Sequence, residues 1–158
     1  MTSTNAQPVV RTSVRVEVPI ERAFRVFTEG FDGWWPRSHH IAATDMMAAV
    51  LEPKMNGRWF ERDAAGQECD WGRVLAWDPP RHLALSWHLN ADFHYDPDPA
   101  HASRVDVQFA ADGDGATLVE LIHSELDRHG SEWPKLAQGI SSEDGGWPSL
   151  LQLFAKAA

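Results

Sequence analysis

Near the C-terminal end, Trp147, Leu150, Leu151 and Phe154 recur at i, i+3, i+4 and i+7, the spacing that lines up one apolar stripe on a helix. Pro148 falls where a first helical turn tolerates it. A helix with a single apolar stripe must bury it against a partner, and most of the preceding chain offers only one kind. Strands are predicted at 48–54, 57–62, 68–77, 82–89, 104–110 and 117–125. The punctuation supports these bounds: KMNG and DAAGQ suit tight hairpins, WDPPRH a proline-rich turn, and DGDG a turn needing positive φ. A single antiparallel sheet must cover one face with helices. The strands are therefore expected to curl around the one long helix that the C-terminal end supplies.

The N-terminal part completes the plan. Residues 1–8 are expected to be disordered. In VVRTSVRVEV, Val10, Thr12, Val14, Val16 and Val18 share one face, the period of a half-buried strand. Pro19 ends that strand and pre-sets a helix in which Ile20, Ala23, Phe24 and Phe27 form a stripe. Gly30 and Gly33 break it, and GWWPRSHH follows as a short helical turn or loop. A further short helix is predicted at 131–138. The architecture is α+β: a seven-stranded antiparallel sheet curved around a long C-terminal helix, with two short helices after the first strand. Eight tryptophans against one tyrosine suit a large amphipathic interior, because each indole buries much surface yet needs a partner for its N–H. A space lined with aromatics between sheet and helix is where small molecules bind.

Composition narrows the classes. At 158 residues and 17.7 kDa the chain fits one domain, 1–158. A net charge of -9 repels a phosphate backbone, which argues against a nucleic-acid partner. No apolar run approaches the roughly 20 residues of a membrane helix, and the polar start from Met1 to Gln7 is unlike a secretory leader. A cytoplasmic protein with no membrane insertion is expected. Cys69 is the only cysteine, so neither an internal disulfide nor a cysteine-rich zinc module is available; a small buried thiol is the expectation.

The runs VPIERAFRVFTEGFDGWWP, GRWFERDAAGQECDWGRVLAWDPPRHLALSW, LVELIHSELDRHG and GGWPSLLQLFAKAA resemble the activator-of-heat-shock-protein-90-ATPase-like family. That family belongs to the START-like, or SRPBCC, helix-grip superfamily, which also holds polyketide cyclases and plant pollen-allergen lipid carriers. The resemblance runs in order from about Val14 to Ala155. Its most specific pieces are the WG-x-V strand before a DPP turn and the H-S ending of the last strand before GGW. It implies the same sheet-and-helix fold read from periodicity. It implies no reaction, since one fold supports many functions. Within WGRVLAW the resemblance favours Gly72 and Val74 on the cavity side, with Trp71 and Trp77 on the opposite face.

Several residues invite a chemical reading. Glu61, Glu68 and Asp70 are expected as neighbours across a hairpin; in an apolar cavity such carboxylates would serve as acid or base, and otherwise they are solvated hairpin ends. His123 ends an apolar row on the last strand, where a histidine is a hydrogen-bonded core or rim residue or touches a ligand. No serine or cysteine nucleophile stands at a recognisable spacing from it. Asp92, His94, Asp96, Asp98 and His101 lie in a long insertion without metal-ligand spacing. The adjacent His39 and His40 lack a third ligand, so no metal is expected.

The expected function is binding of a hydrophobic or aromatic small molecule, without a cofactor and with no catalytic residue assigned. Trp34, Trp35 and His39 would line or gate the mouth, one of the two indoles being a core anchor. Trp59, Trp87, His123 and Trp147 would form walls, with Leu151, Glu61 and Asp70 also in reach. One alternative is a cyclase, dehydratase or hydrolase using the same cavity. Another is a protein-interaction module acting on a chaperone ATPase, although one domain leaves little room for the extra N-terminal domain of true co-chaperones. An exposed aromatic patch would equally support a homodimer.

Overall fold

Alternation and proline punctuation place the elements almost where they are expected. The computed structural model describes residues 8–158. In chain order they are β1 (Val10–Val16), α1 (Ile20–Thr28), α2 (Phe31–Trp34), β2 (Met46–Leu51), β3 (Arg58–Asp63), β4 (Glu68–Asp78), β5 (His82–Trp87), β6 (Ser103–Ala111), β7 (Thr117–Ser124), α3 (Trp133–Ile140) and α4 (Trp147–Ala157). The seven strands form one antiparallel sheet in the order β1-β7-β6-β5-β4-β3-β2. The expected disorder of residues 1–8 falls outside the described residues except at Pro8, whose carbonyl accepts the Leu126 N–H at 3.1 Å.

The core lies between the inner sheet face and the helices. On α4 the predicted stripe of Trp147, Leu150, Leu151 and Phe154 is buried, and the helix packs against β1 and α2. On α1, Phe24 meets Trp77 and Phe109 edge to face at 5.1 Å each, while Phe27 meets Phe154 at 5.2 Å. Asp32 Oδ1 accepts the Ala49 N–H at 2.8 Å, so α2 satisfies a donor of the edge strand β2 that would otherwise face an unpaired margin.

Three departures matter for the site. The strand expected at 82–89 ends at Trp87, and Leu89 instead bridges Tyr95 at the base of the β5–β6 insertion. The helix expected at 131–138 runs Trp133–Ile140. The third concerns β4, where strict alternation fails. Trp59 pairs with Gly72 but Phe60 pairs with Asp70, leaving Trp71 as an extra residue. A bulge of this kind re-aims a side chain. Trp71 therefore joins the buried core instead of the opposite face. Gly72 and Val74 are also interior; a Cβ at Gly72 would overlap the Ser86 carbonyl oxygen and stand 2.5 Å from Trp59 Nε1.

Candidate functional site

Five indoles from five parts of the chain close into a ring. Trp35, just after α2, meets Trp71 of β4 at 5.2 Å, and Trp71 meets Trp59 of β3 at 5.4 Å. Trp59 meets Trp87 of β5 at 5.7 Å, Trp87 meets Trp147 of α4 at 5.7 Å, and Trp147 returns to Trp35 at 6.1 Å. Three of these contacts are edge to face, a geometry that aromatic quadrupoles favour, and the other two are tilted. Every N–H in this ring is taken by the protein: Trp35 donates to the His39 carbonyl, Trp59 to the Ser86 carbonyl and Trp87 to the Leu89 carbonyl. Trp71 donates to Glu61 Oε1 and Trp147 to His123 Nδ1. The indoles thus present ring carbon to whatever lies between them.

Four of the five, with Trp59 packed behind them, face a cavity of about 310 Å³. Trp35, Trp71, Trp87 and Trp147 wall it; Ile140 of α3 and Leu150 of α4 add aliphatic surface; Phe93 of the insertion stands at the rim. Ser38, His39 and His40 also line it. His39 is fully occupied, with Nε2 donating to the Gly145 carbonyl at 2.7 Å and Nδ1 paired with Ser38 Oγ at 3.2 Å. It ties the loop after α2 to the turn before α4. His40 is different: its Nδ1 sits 3.0 Å from the Ala42 carbonyl, which can only accept, so the proton of the neutral ring belongs on Nδ1 and Nε2 carries a lone pair.

The loop bearing these histidines is held from behind by Glu61. Its buried carboxylate accepts the Ile41 N–H at 2.6 Å, the Ala42 N–H at 3.2 Å and the Trp71 indole N–H at 2.9 Å. Three donors on one carboxylate are an effective substitute for water. Glu68 and Asp70 do not join it. They pair with Arg58, and Glu68 also with Arg62, beside the ring of Phe60, because Phe60 and its partner Asp70 occupy the face opposite Trp59 and Glu61. The expected carboxylate cluster is therefore split between the two faces, and Asp70 is remote from the cavity.

Behind Trp87 and Trp147 lies a buried polar chain. The Trp147 N–H donates to His123 Nδ1 at 3.1 Å, so His123 carries its proton on Nε2 and gives it to Ser103 Oγ at 2.7 Å. The Ser103 hydroxyl is then free to donate to His129 Nε2, also at 2.7 Å. Burial, with a smaller contribution from His129, pushes His123 down to about 3. Burial likewise pushes His129 down to about 4. Both rings are neutral at pH 7. No sequence spacing pairs Ser103 with His123, and its burial on a strand makes it a structural link instead of a nucleophile.

Of the residues expected at the site, Trp35, His39, Trp87 and Trp147 line the cavity. Trp34 is the core anchor, packed on Phe27, Phe31 and Phe154 with its N–H on the Val26 carbonyl. Trp59, His123 and Leu151 are buried behind the lining, and Glu61 holds the loop. Trp71, His40 and Phe93 are gained. In the insertion, Asp92 pairs with Lys135 and Asp96 with His101; among the described residues no group of three or more His, Cys, Asp or Glu is placed to hold a metal. Cys69 is partly buried, and burial raises its thiol. No helix among the described residues is long and apolar enough to cross a membrane.

Residues 17–158 match the family described as activator of Hsp90 ATPase homolog 1-like protein. Among solved structures, an anthrahydroquino-gamma-pyrone synthase, Txn09, complexed with SUM, is 37% identical with a TM-score of 0.67, over 96% of this chain and 97% of that one. CalC, a self-sacrificing resistance protein from Micromonospora echinospora, is 35% identical with a TM-score of 0.70, over 96% of this chain and 94% of that one. PFC0360w, an HSP90 activator from Plasmodium falciparum, is 18% identical with a TM-score of 0.51, over 73% of this chain and 71% of that one, a likeness of fold alone. No curated protein matches.

Proposed function

Because the chain belongs to the activator of Hsp90 ATPase homolog 1-like family, within the helix-grip superfamily, we propose that its cavity binds a planar aromatic small molecule. The observation that carries this reading is the closed ring of five indoles whose N–H groups are all taken by protein acceptors. Such walls reward apolar and aromatic surface and give little to a polar guest. At about 310 Å³ the space is at the small end of cavities that take drug-sized ligands, roughly 300–1,000 Å³. The name of the 37% identical synthase describes a fused ring system bearing a pyrone. A molecule of that kind, flat with hydroxyl or carbonyl groups at its rim, suits aromatic walls and a single orienting group at His40.

His40 also favours a second reading, in which the bound molecule is transformed. His40 lines the cavity with Nδ1 engaged by the Ala42 carbonyl, and its Nε2 lone pair would accept a proton from a ligand hydroxyl. His123 and Glu61 do not suit that task, since one is sealed behind Trp147 and the other is occupied by three donors. Conversion of a hydroxylated ligand that depends on pH and is lost in His40→Ala even at saturating ligand would support catalysis; recovery of the ligand unchanged would leave binding alone.

The binding reading is tested by titrating the protein with 1,8-dihydroxyanthraquinone and following tryptophan fluorescence. Gly139 lines the cavity, and a Cβ there meets no atom within 4 Å. Gly139→Leu therefore adds side-chain bulk at the cavity with no clash at its Cβ. Saturable quenching in the wild type that disappears in Gly139→Leu is expected; absence of quenching, or equal quenching in both, would sink the reading.

A further inference from the structure

Phe93 bears two local costs that nothing else in the fold repays. It sits in a tight turn of the β5–β6 insertion, where Asn90 Oδ1 accepts the N–H groups of Asp92 and His94 at 2.9 and 3.1 Å, and the Phe93 N–H reaches the Asn90 carbonyl at 2.8 Å. The turn forces Phe93 to φ +59, a left-handed conformation that glycine or asparagine adopts readily and a bulky aromatic does not. The residue is also 43% exposed and, among the described residues, its ring pairs with no other ring, unlike every tryptophan of the cavity wall. Yet it stands at the rim of that cavity. An outlier of this sort points from strain to function.

The turn is placed by more than its own hydrogen bonds. Asp92 Oδ1 meets Lys135 Nζ at 2.9 Å, which joins the tip to α3, the helix that carries Gly139 and Ile140 to the same cavity. Leu89 and Tyr95 bridge its base. The backbone is thus held so that residue 93 projects at the mouth, with the side chain adding nothing to the turn that a smaller residue would not.

We propose that Phe93 is a ligand-contacting residue, the exposed ring at the mouth of a buried aromatic box, and that it sets a preference for planar fused rings over flexible aliphatic chains. This rests on the binding reading above. Ring-on-ring contact is favourable beyond the area it buries, and an aliphatic chain gains only the area. The exposure of Phe93 is offset when its ring covers a flat ligand.

The test compares wild type with Phe93→Gly, Phe93→Asn and Phe93→Leu, using 1,8-dihydroxyanthraquinone and decanoate as probes and thermal melting as the control for folding. Glycine and asparagine accept the left-handed turn, so both variants should melt no lower than wild type, or higher by about 2–4 °C. Both should bind the anthraquinone about tenfold more weakly. Leucine restores apolar cover without a ring and should bring the two probes closer in affinity. Unchanged anthraquinone affinity in Phe93→Gly and Phe93→Asn would overturn the assignment while leaving the binding reading intact. A wild type that binds neither probe would remove both.

Discussion

Trp147 donates its indole N–H to His123 Nδ1 across 3.1 Å, and this one bond fixes the tautomer of His123, the direction of the Ser103 hydroxyl and the proton position on His129. Burial of the His123 ring, with a smaller push from His129, sets how stability responds to acid. The folded chain holds His123 neutral down to about 3, against an ordinary value of 6.5. Between those values the unfolded chain binds the extra proton, so stability is complete above about pH 6.5 and falls as pH falls. From this residue alone the loss between pH 6.5 and 5 is about 2 kcal/mol. His129, with its lowered value of about 4, adds to the loss in the same direction. Denaturant titrations across this range should show the decline, and His123→Gln, less stable at pH 7 by about 1–3 kcal/mol, should show a shallower one. An equal slope in both proteins would contradict the neutral relay.

Glu61 is expected to act on the ligand through the loop it holds. Glu61→Gln replaces one acceptor oxygen by a donor that faces N–H groups, at a cost of about 1–3 kcal/mol in unfolding free energy. Hydrogen exchange at Ile41 and Ala42 should accelerate with it. Protection of those two amides at the wild-type level would show that the carboxylate does not order the loop.

The two histidines of the loop should separate cleanly. His39→Ala removes the tie to the Gly145 carbonyl and should lower stability by about 1 kcal/mol. His40→Ala should change stability by less than about 0.5 kcal/mol while weakening a hydroxylated anthraquinone roughly three- to tenfold. Paired melting and fluorescence titrations decide this; the reverse pattern would make His39 the ligand contact.

Gly72 and Gly33 make a matched pair for the fold. A Cβ at Gly72 overlaps the Ser86 carbonyl and crowds Trp59 Nε1, where β4 cannot retreat without losing the bulge that presents Trp71. Gly72→Ala should cost about 3 kcal/mol or more. A Cβ at Gly33 meets nothing within 4 Å, so Gly33→Ala in α2 should gain about 0.5–1 kcal/mol. Comparable effects at the two positions, measured by chemical denaturation, would show that close approach at Gly72 is not the constraint.

Much of the fold was legible because its signals are local. The α4 stripe and the β1 alternation survive intact, since helix and strand periods depend only on neighbouring residues. The site was legible in its material and not in its arrangement. Trp35, His39, Trp87 and Trp147 were expected there, and they line the cavity. Strict alternation puts Trp71 on the wrong face because a bulge breaks the period-two rule at that residue, and no residue type marks a bulge in advance. Asp70 and Glu61 looked like one cluster because hairpin neighbours are close along the chain, although alternate faces separate them.

By itself, the sequence determined an antiparallel sheet with helices on one side, an aromatic interior and membership of a recognisable family, because periodicity, punctuation and composition need no knowledge of distant contacts. Only the tertiary structure decided which indole of Trp34 and Trp35 faces the cavity and which histidine of His39 and His40 keeps a free nitrogen. His39 is occupied by a carbonyl 106 positions away, and Trp147 by a histidine 24 positions away. Hydrogen-bond partners of that separation exist only once the chain has folded, and they distinguish the polar groups a ligand can reach from those already spent on the fold.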